Sequence, residues 1–183
     1  SNKIDALLES PTTVAIAMLA VGVILMFIYN VFKKPVIESD DQVSFGKSFI
    51  VGLWQTIAMI PGVSRSAASI IGGMSQGFTR WLAAEFSFFL AVPTMLAACV
   101  YSLFVKKWTN EAVTRKGYQI IMDSSENTIS FVAGNVVAFV VALLAIRFFI
   151  NYLKVYGFRI FGFYRVLAGI ALLILLLTKV IDA

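Results

Sequence analysis

Long apolar runs separated by short polar breaks organise this chain. Residues 12–32 are almost wholly apolar, and the run closes on Lys33-Lys34-Pro35. About 20 such residues make a helix long enough to cross hydrocarbon. This is the first predicted span, stopped by basic charge and a helix-breaking proline. Residues 33–47 form a polar loop with Glu38, Asp40 and Asp41. The next apolar run, 48–60, holds only 13 residues before Pro61-Gly62, too few to span. A second short piece, 66–78, is rich in glycine at Gly72, Gly73 and Gly77. Two half-length arms about a Pro-Gly turn predict a re-entrant hairpin with its tip inside the membrane. Irregular backbone survives there only where protein or a watery cavity surrounds it. Residues 81–105 are a second full span with a kink expected at Pro93. A polar loop follows at 106–127, then a third span at 128–149 and a connector at 151–163. The last span covers 164–177 and is expected to extend through residue 180. The predicted fold class is an all-α integral membrane protein with four transmembrane helices and one re-entrant helical hairpin. Residues 1–183 form a single membrane domain in this reading.

Composition agrees with that solvent. Of 183 residues, 60% are hydrophobic and 14% charged, against about 45–50% and 25% in soluble domains. The single cysteine, Cys99, lies in an apolar run, so no disulfide framework exists within the chain. There is no histidine. The net charge of +5 suits anionic headgroups and basic residues flanking spans, and nucleic acid is not an expected partner. If the hairpin returns to the side it entered, the basic residues other than Arg65 divide eight against six between the two membrane faces, which leaves the orientation open under the positive-inside rule. No signal-peptide cleavage pattern is expected at the start.

Against this background, residues 61–69, Pro-Gly-Val-Ser-Arg-Ser-Ala-Ala-Ser, stand out. An arginine in hydrocarbon is costly and marks a pair, a wet cavity or a task. Ser64 follows Pro-Gly and precedes a helical run, so it is a candidate N-cap. A helix start offers outward-pointing amides and the positive end of the dipole to an anion. Arg65 adds a permanent charge in a fork that matches phosphate oxygens. Ser66 and Ser69 share a helix face that Gly73 and Gly77 continue. Each residue also has a structural reading. Ser64 can simply cap. Ser69, Gly73 and Gly77 can be a small-residue packing stripe. Arg65 can be an ion-pair partner of Glu85. Glu85 is the one carboxylate inside a predicted span; it can snorkel, pair with Arg65, or help hold a metal. Gln55 and Asn135 are isolated polar residues in apolar runs, a pattern typical of interhelical hydrogen bonds. Gln55, ten residues before Arg65, can also face the same pocket.

The stretch from Gly52 through Ser87, GLWQTIAMIPGVSRSAASIIGGMSQGFTRWLAAEFS, resembles the bacterial undecaprenyl-diphosphate phosphatase family, the bacitracin-resistance type. PGVSRS, then IIGGM, then EFSFFLAVP are similar to that family's second signature region. The similarity runs on through VVALLAIRFF and FYRVLAG. The resemblance implies an enzyme that removes the terminal phosphate of a polyprenyl diphosphate, recycling the lipid carrier for cell-wall polymers. It implies a bacterial inner (cytoplasmic) membrane location and a fold of two inverted repeats, each with a re-entrant hairpin, with this chain expected to form half of that inverted-repeat fold. The active site would lie between the two tips, on the periplasmic side. It also implies Mg2+ or Ca2+ as cofactor, and a homodimer is compatible with it. Carried onto this chain, Arg65 would hold the diphosphate with Ser64 and Ser66 beside it as catalytic residues. Ser69, Gly62, Gln55 and Glu85 would line the substrate site, and no residue of this chain is assigned to the metal. Ser69 stands where the family usually has threonine. The family's first signature region, with its glutamate-rich arm and its serine- and histidine-bearing tip, has no match here. The resemblance therefore covers the C-terminal two-thirds of the pattern. The acidic metal ligands and the candidate nucleophile or base are expected in the unmatched part.

Other phosphatase chemistries fit poorly. A cysteine phosphatase needs an activated thiol, and histidine-based lipid phosphatases need a residue this chain lacks. The rival from another class is a transporter or flippase of a phosphorylated polyprenyl lipid, since broken helices and buried anion sites serve transport equally well. A degenerate relative with a purely structural role is the third reading.

Overall fold

The computed structural model describes residues 10–32, 35–110 and 113–178. The Lys33–Lys34 stop and the extension of the last span to residue 180 fall outside them. Among the described residues four helices are long and apolar enough to cross a membrane, so the chain is a helical, multi-pass membrane protein. It divides into two compact units, residues 1–88 with 152–183, and residues 89–151.

In the first unit, α1 runs Pro11–Val31 with proline in its first turn, where the missing N–H is no loss. The last helix of the chain, Arg159–Leu177, packs antiparallel against it. Glycines set the approach. A Cβ on Gly162 would lie 2.7 Å from the Gly22 carbonyl oxygen, and one on Gly169 would lie 2.9 Å from Leu19. In lipid, where burial gives little drive, such close backbone contact is what holds helices together.

The hairpin arms are α2, Phe45–Thr56, continued by a 3-10 turn at Ile57–Met59, and α3, Arg65–Ser75. The first arm begins three residues earlier than expected. The Ser44 hydroxyl accepts the Lys47 amide, so the helix starts at its cap and not at the first apolar residue. The second arm ends in a Schellman turn. Gly77 has φ 86°, its amide donates to the Met74 carbonyl, and the Phe78 amide donates to Gly73. The base of the hairpin is closed by backbone. Val36 and Ile37 donate to the Gly77 carbonyl at 2.9 and 3.0 Å, and Thr79 donates to Ile37 at 2.9 Å. The chain therefore enters and leaves the hairpin at one place, next to the C-terminal end of α1.

The tip lies far from that base. Gly62 packs on Val14 and Ala17 of α1. Val14 is about 4.5 Å along the helix from its first residue, and about 26 Å from its last, at 1.5 Å per residue. The hairpin thus reaches almost across the layer that α1 spans.

Helix α4, Arg80–Val100, contains Pro93 and continues as a π-helical turn, Tyr101–Val105. It passes from the first unit into the second. There the expected loop at 106–127 is instead structured. Strands β1, Lys107–Asn110, and β2, Val113–Lys116, form an antiparallel pair. A short helix α5, Gly117–Ile121, follows. Helix α6 then runs Ser125–Tyr156, overrunning the expected connector at 151–163. Only Gly157, at φ 70°, and Phe158 separate it from the last helix, α7. The connector was expected because Asn151, Lys154 and Tyr156 lower the hydropathy. Those residues are acceptable helix formers, and the helix continues past the end of its apolar stretch.

Candidate functional site

The site is built on the first turn of α3. Ser64 has extended backbone, φ −67° and ψ 129°, and its hydroxyl accepts the Ala67 amide at 3.3 Å. The Ala68 amide closes the first helical turn on the Ser64 carbonyl at 2.9 Å. With Ser64 serving Ala67, the other first-turn amides point out of the helix start, as in an anion site. Arg65 is half-buried at this position, and its Nη1 is closed off from solvent. Ser66 is half-buried beside it. These three residues, expected to act together, are adjacent on one helical turn.

Gly62 holds the turn in place. Its φ of 88° is the left-handed conformation that a side chain disfavours. There is also no room for one, since a Cβ would lie 2.8 Å from the Val14 Cα. The Gly62 carbonyl accepts a hydrogen bond from Nη2 of Arg165 on α7. Arg165 is a tip contact that the sequence reading does not anticipate. By sequence it is one more basic residue near the start of the last span. Yet it lies inside a membrane-length helix, half-buried, with its Nε closed off from solvent. The signal was the lone arginine of FYRVLAG, within an otherwise apolar run.

Ser69 takes a different place from the one expected. It is 1% exposed, and its hydroxyl is within hydrogen-bond distance of three oxygens. These are the carbonyls of Arg65 at 3.0 Å and Ser66 at 3.2 Å, and the Ser87 hydroxyl of α4 at 2.7 Å. It braces the turn that carries Arg65 and does not open onto a binding surface. Ser87, two residues after Glu85 in EFSFF, is the partner that local sequence could not reveal. The glycine stripe on the same helix also packs: a Cβ on Gly73 would lie 3.1 Å from Ala83 and from Phe78.

Gln55 is half-buried on α2, with Oε1 closed off from solvent. Glu85 is half-buried on α4. No ion pair joins it to Arg65 among the described residues, so of the readings offered for Glu85 the pairing with Arg65 is not made there. Among the described residues, no three of His, Cys, Asp and Glu gather as metal ligands. The tip lacks a carboxylate to offset charge, and its guanidinium groups repel a cation. The residues described here thus do not fit a divalent ion, and no chemistry is routed through one.

Beside the tip lies a cavity of about 330 Å3, lined by Val21, Ile28, Trp54, Val63, Ala68 and Ile71 among others. Its walls are almost entirely apolar, and Val63 and Ala68 belong to the tip. The fold and the site define a multi-pass helical membrane protein with a basic re-entrant tip.

The chain belongs to the family described as bacitracin resistance protein BacA, whose model matches residues 1–171. Among its curated relatives, it is 49% identical over 175 residues to an "Undecaprenyl-diphosphatase" of Flavobacterium psychrophilum. That match covers 96% of this chain and 62% of the relative. A protein of the same name from Flavobacterium johnsoniae is 47% identical, covering 96% and 63%. One from Porphyromonas gingivalis is 40% identical, covering 97% and 59%. The chain thus spans about three-fifths of the length of these relatives.

Proposed function

We propose that the chain is the substrate-gripping part of an undecaprenyl-diphosphate phosphatase in the bacterial inner membrane. The observation that carries the reading is the tip. A helix start capped by Ser64 and an arginine within that first turn adjoin an apolar cavity. The relatives' shared name supports the same reading; nothing comparable supports the transporter.

In the reaction, water attacks the terminal phosphorus of the lipid diphosphate. The bond from that phosphorus to the bridging oxygen breaks, and lipid monophosphate and inorganic phosphate leave. Phosphoryl transfer of this kind depends on positioning and charge neutralisation. Arg65 and the first-turn amides stabilise the negative charge on the transferred group, Ser64 and Ser66 orient it, and the tail lies along the apolar walls. Mg2+ or Ca2+ belongs to this proposal as cofactor, with ligands in the part of the family pattern that this chain does not match. Partners are the polyprenyl diphosphate, membrane lipids and a second copy in a homodimer, the last checked by cross-linking in detergent.

The test is phosphate release from undecaprenyl diphosphate in detergent with magnesium, for this chain and for a protein of its relatives' full length. Arg65→Ala removes release from the full-length protein, and Arg65→Lys restores only part of it, because an ammonium cannot reproduce the guanidinium fork. Full activity in Arg65→Ala refutes the assignment. Lipid movement without phosphate release identifies a carrier instead.

A further inference from the structure

The hairpin of the second unit carries a charge arrangement that the phosphatase reading does not use. In its register, Lys107 stands directly opposite Lys116, and Trp108 opposite Arg115. Side chains alternate between the faces of a strand, so the two lysines share one face and the Trp–Arg pair the other. The Trp–Arg face is satisfied by the chain itself. Arg115 pairs with Asp123 at 2.8 Å, Trp108 donates to the Ser102 carbonyl at 3.4 Å, and the Lys106 ammonium sits 4.1 Å from the Trp108 ring centroid. The lysine face is not. Like charges directly opposite on paired strands destabilise each other. Neither ammonium has a carboxylate partner among the described residues.

The hairpin's position supplies the missing counter-charge. It begins two residues after a membrane-length apolar helix that ends at Val105, and it precedes another that starts at Ser125. Phe104 stacks on Tyr118 at 5.8 Å between ring centroids, and Trp108 is 43% exposed. Aromatic rings of this kind mark the headgroup layer. Anionic lipids in that layer attract basic residues near the surface.

We infer that Lys107 and Lys116 form a binding site for the phosphodiester of an anionic phospholipid, one headgroup held between the two ammonium groups. This fixes the end of the two spans at the lipid surface. The site is independent of Arg65 and of the proposed catalysis.

Native mass spectrometry of the full-length protein in detergent tests the site, comparing phosphatidylglycerol with phosphatidylcholine of equal chain length. The expected result is one phosphatidylglycerol held about thirtyfold more tightly than phosphatidylcholine, the scale of two lysines at an anionic surface. Lys107→Gln with Lys116→Gln removes this preference, while thermal unfolding shows the variant still folded. Lys47→Gln with Arg159→Gln removes the same charge elsewhere and keeps the preference. The inference falls if the hairpin variant retains the preference or the control loses it equally. It falls too if the wild type shows none, or if inorganic phosphate displaces the lipid at equal concentration. None of these readouts depends on phosphate release, so a failed phosphatase assignment leaves the lipid test intact.

Discussion

Replacing Gly62 with alanine strikes both the backbone and the packing of the tip. At φ 88° a residue with a side chain is in the left-handed region, at a cost of about 1–2 kcal/mol. The new methyl carbon would lie 2.8 Å from the Val14 Cα and 3.0 Å from the Ala17 Cβ. The first of these is helix backbone, which cannot rotate aside. Overpacking of this sort costs about 1–3 kcal/mol. Together these effects give roughly 2–5 kcal/mol, and a change of 1 kcal/mol moves Tm by about 2–4 °C in a chain of this size. Gly62→Ala is therefore expected to lower Tm by about 5–20 °C in detergent. Relief of the clash would also draw the Gly62 carbonyl away from Arg165, so under the proposed function phosphate release by the full-length protein should fall even at temperatures where the variant is folded. Gly52→Ala is the matched control. It lies inside α2 with nothing within 4 Å of its added Cβ, and removing a helical glycine gains up to about 1 kcal/mol. Differential scanning fluorimetry of the two variants checks the sign of each effect. Equal melting temperatures for Gly62→Ala and the wild type would refute the described fit of the tip on α1.

Two further substitutions probe the bracing around Arg65. Ser87→Ala and Ser69→Ala should each cost about 1–2 kcal/mol, because each leaves a buried hydroxyl short of a partner. The double variant should fall short of the sum by about 0.5–1 kcal/mol, measured as a double-mutant cycle in thermal unfolding; strict additivity would mean that the two hydroxyls do not meet. Arg165→Met removes a charged donor from the Gly62 carbonyl, a hydrogen bond of about 1.5–3 kcal/mol. Hydrogen exchange at the Val63, Ala67 and Ala68 amides should then accelerate at least about tenfold. Unchanged exchange in a folded variant would remove Arg165 from the tip.

The local features of the hairpin were legible because they are written in adjacent residues. The shortness of the run before Pro61, the Pro-Gly turn and the Ser64 cap need no long-range contact to be inferred. The features that failed to show are those set by distant partners or by the limits of hydropathy. The resemblance places Ser69 at the substrate site and its spacing allows a packing role, but nothing near it in sequence announces its hydrogen bond to Ser87. Arg165 is separated from Gly62 by 103 residues, so its place at the tip depends on how α7 packs on α1. Strands β1 and β2 are not legible because their polar residues carry no apolar alternation, and α6 overruns its apolar stretch because a helix can leave hydrocarbon without ending.

The closed base of the hairpin and the depth of its tip give the proposed site a sidedness. The arms enter next to one end of α1, whereas Gly62, three residues before Arg65, rests on Val14 near the other. A diphosphate headgroup in the leaflet at the Ser10 end has only a few ångströms of hydrocarbon before it. A headgroup in the opposite leaflet faces most of the bilayer. On this reading the protein draws its substrate from a single leaflet, and lipid delivered to the other must be turned over before it can be dephosphorylated.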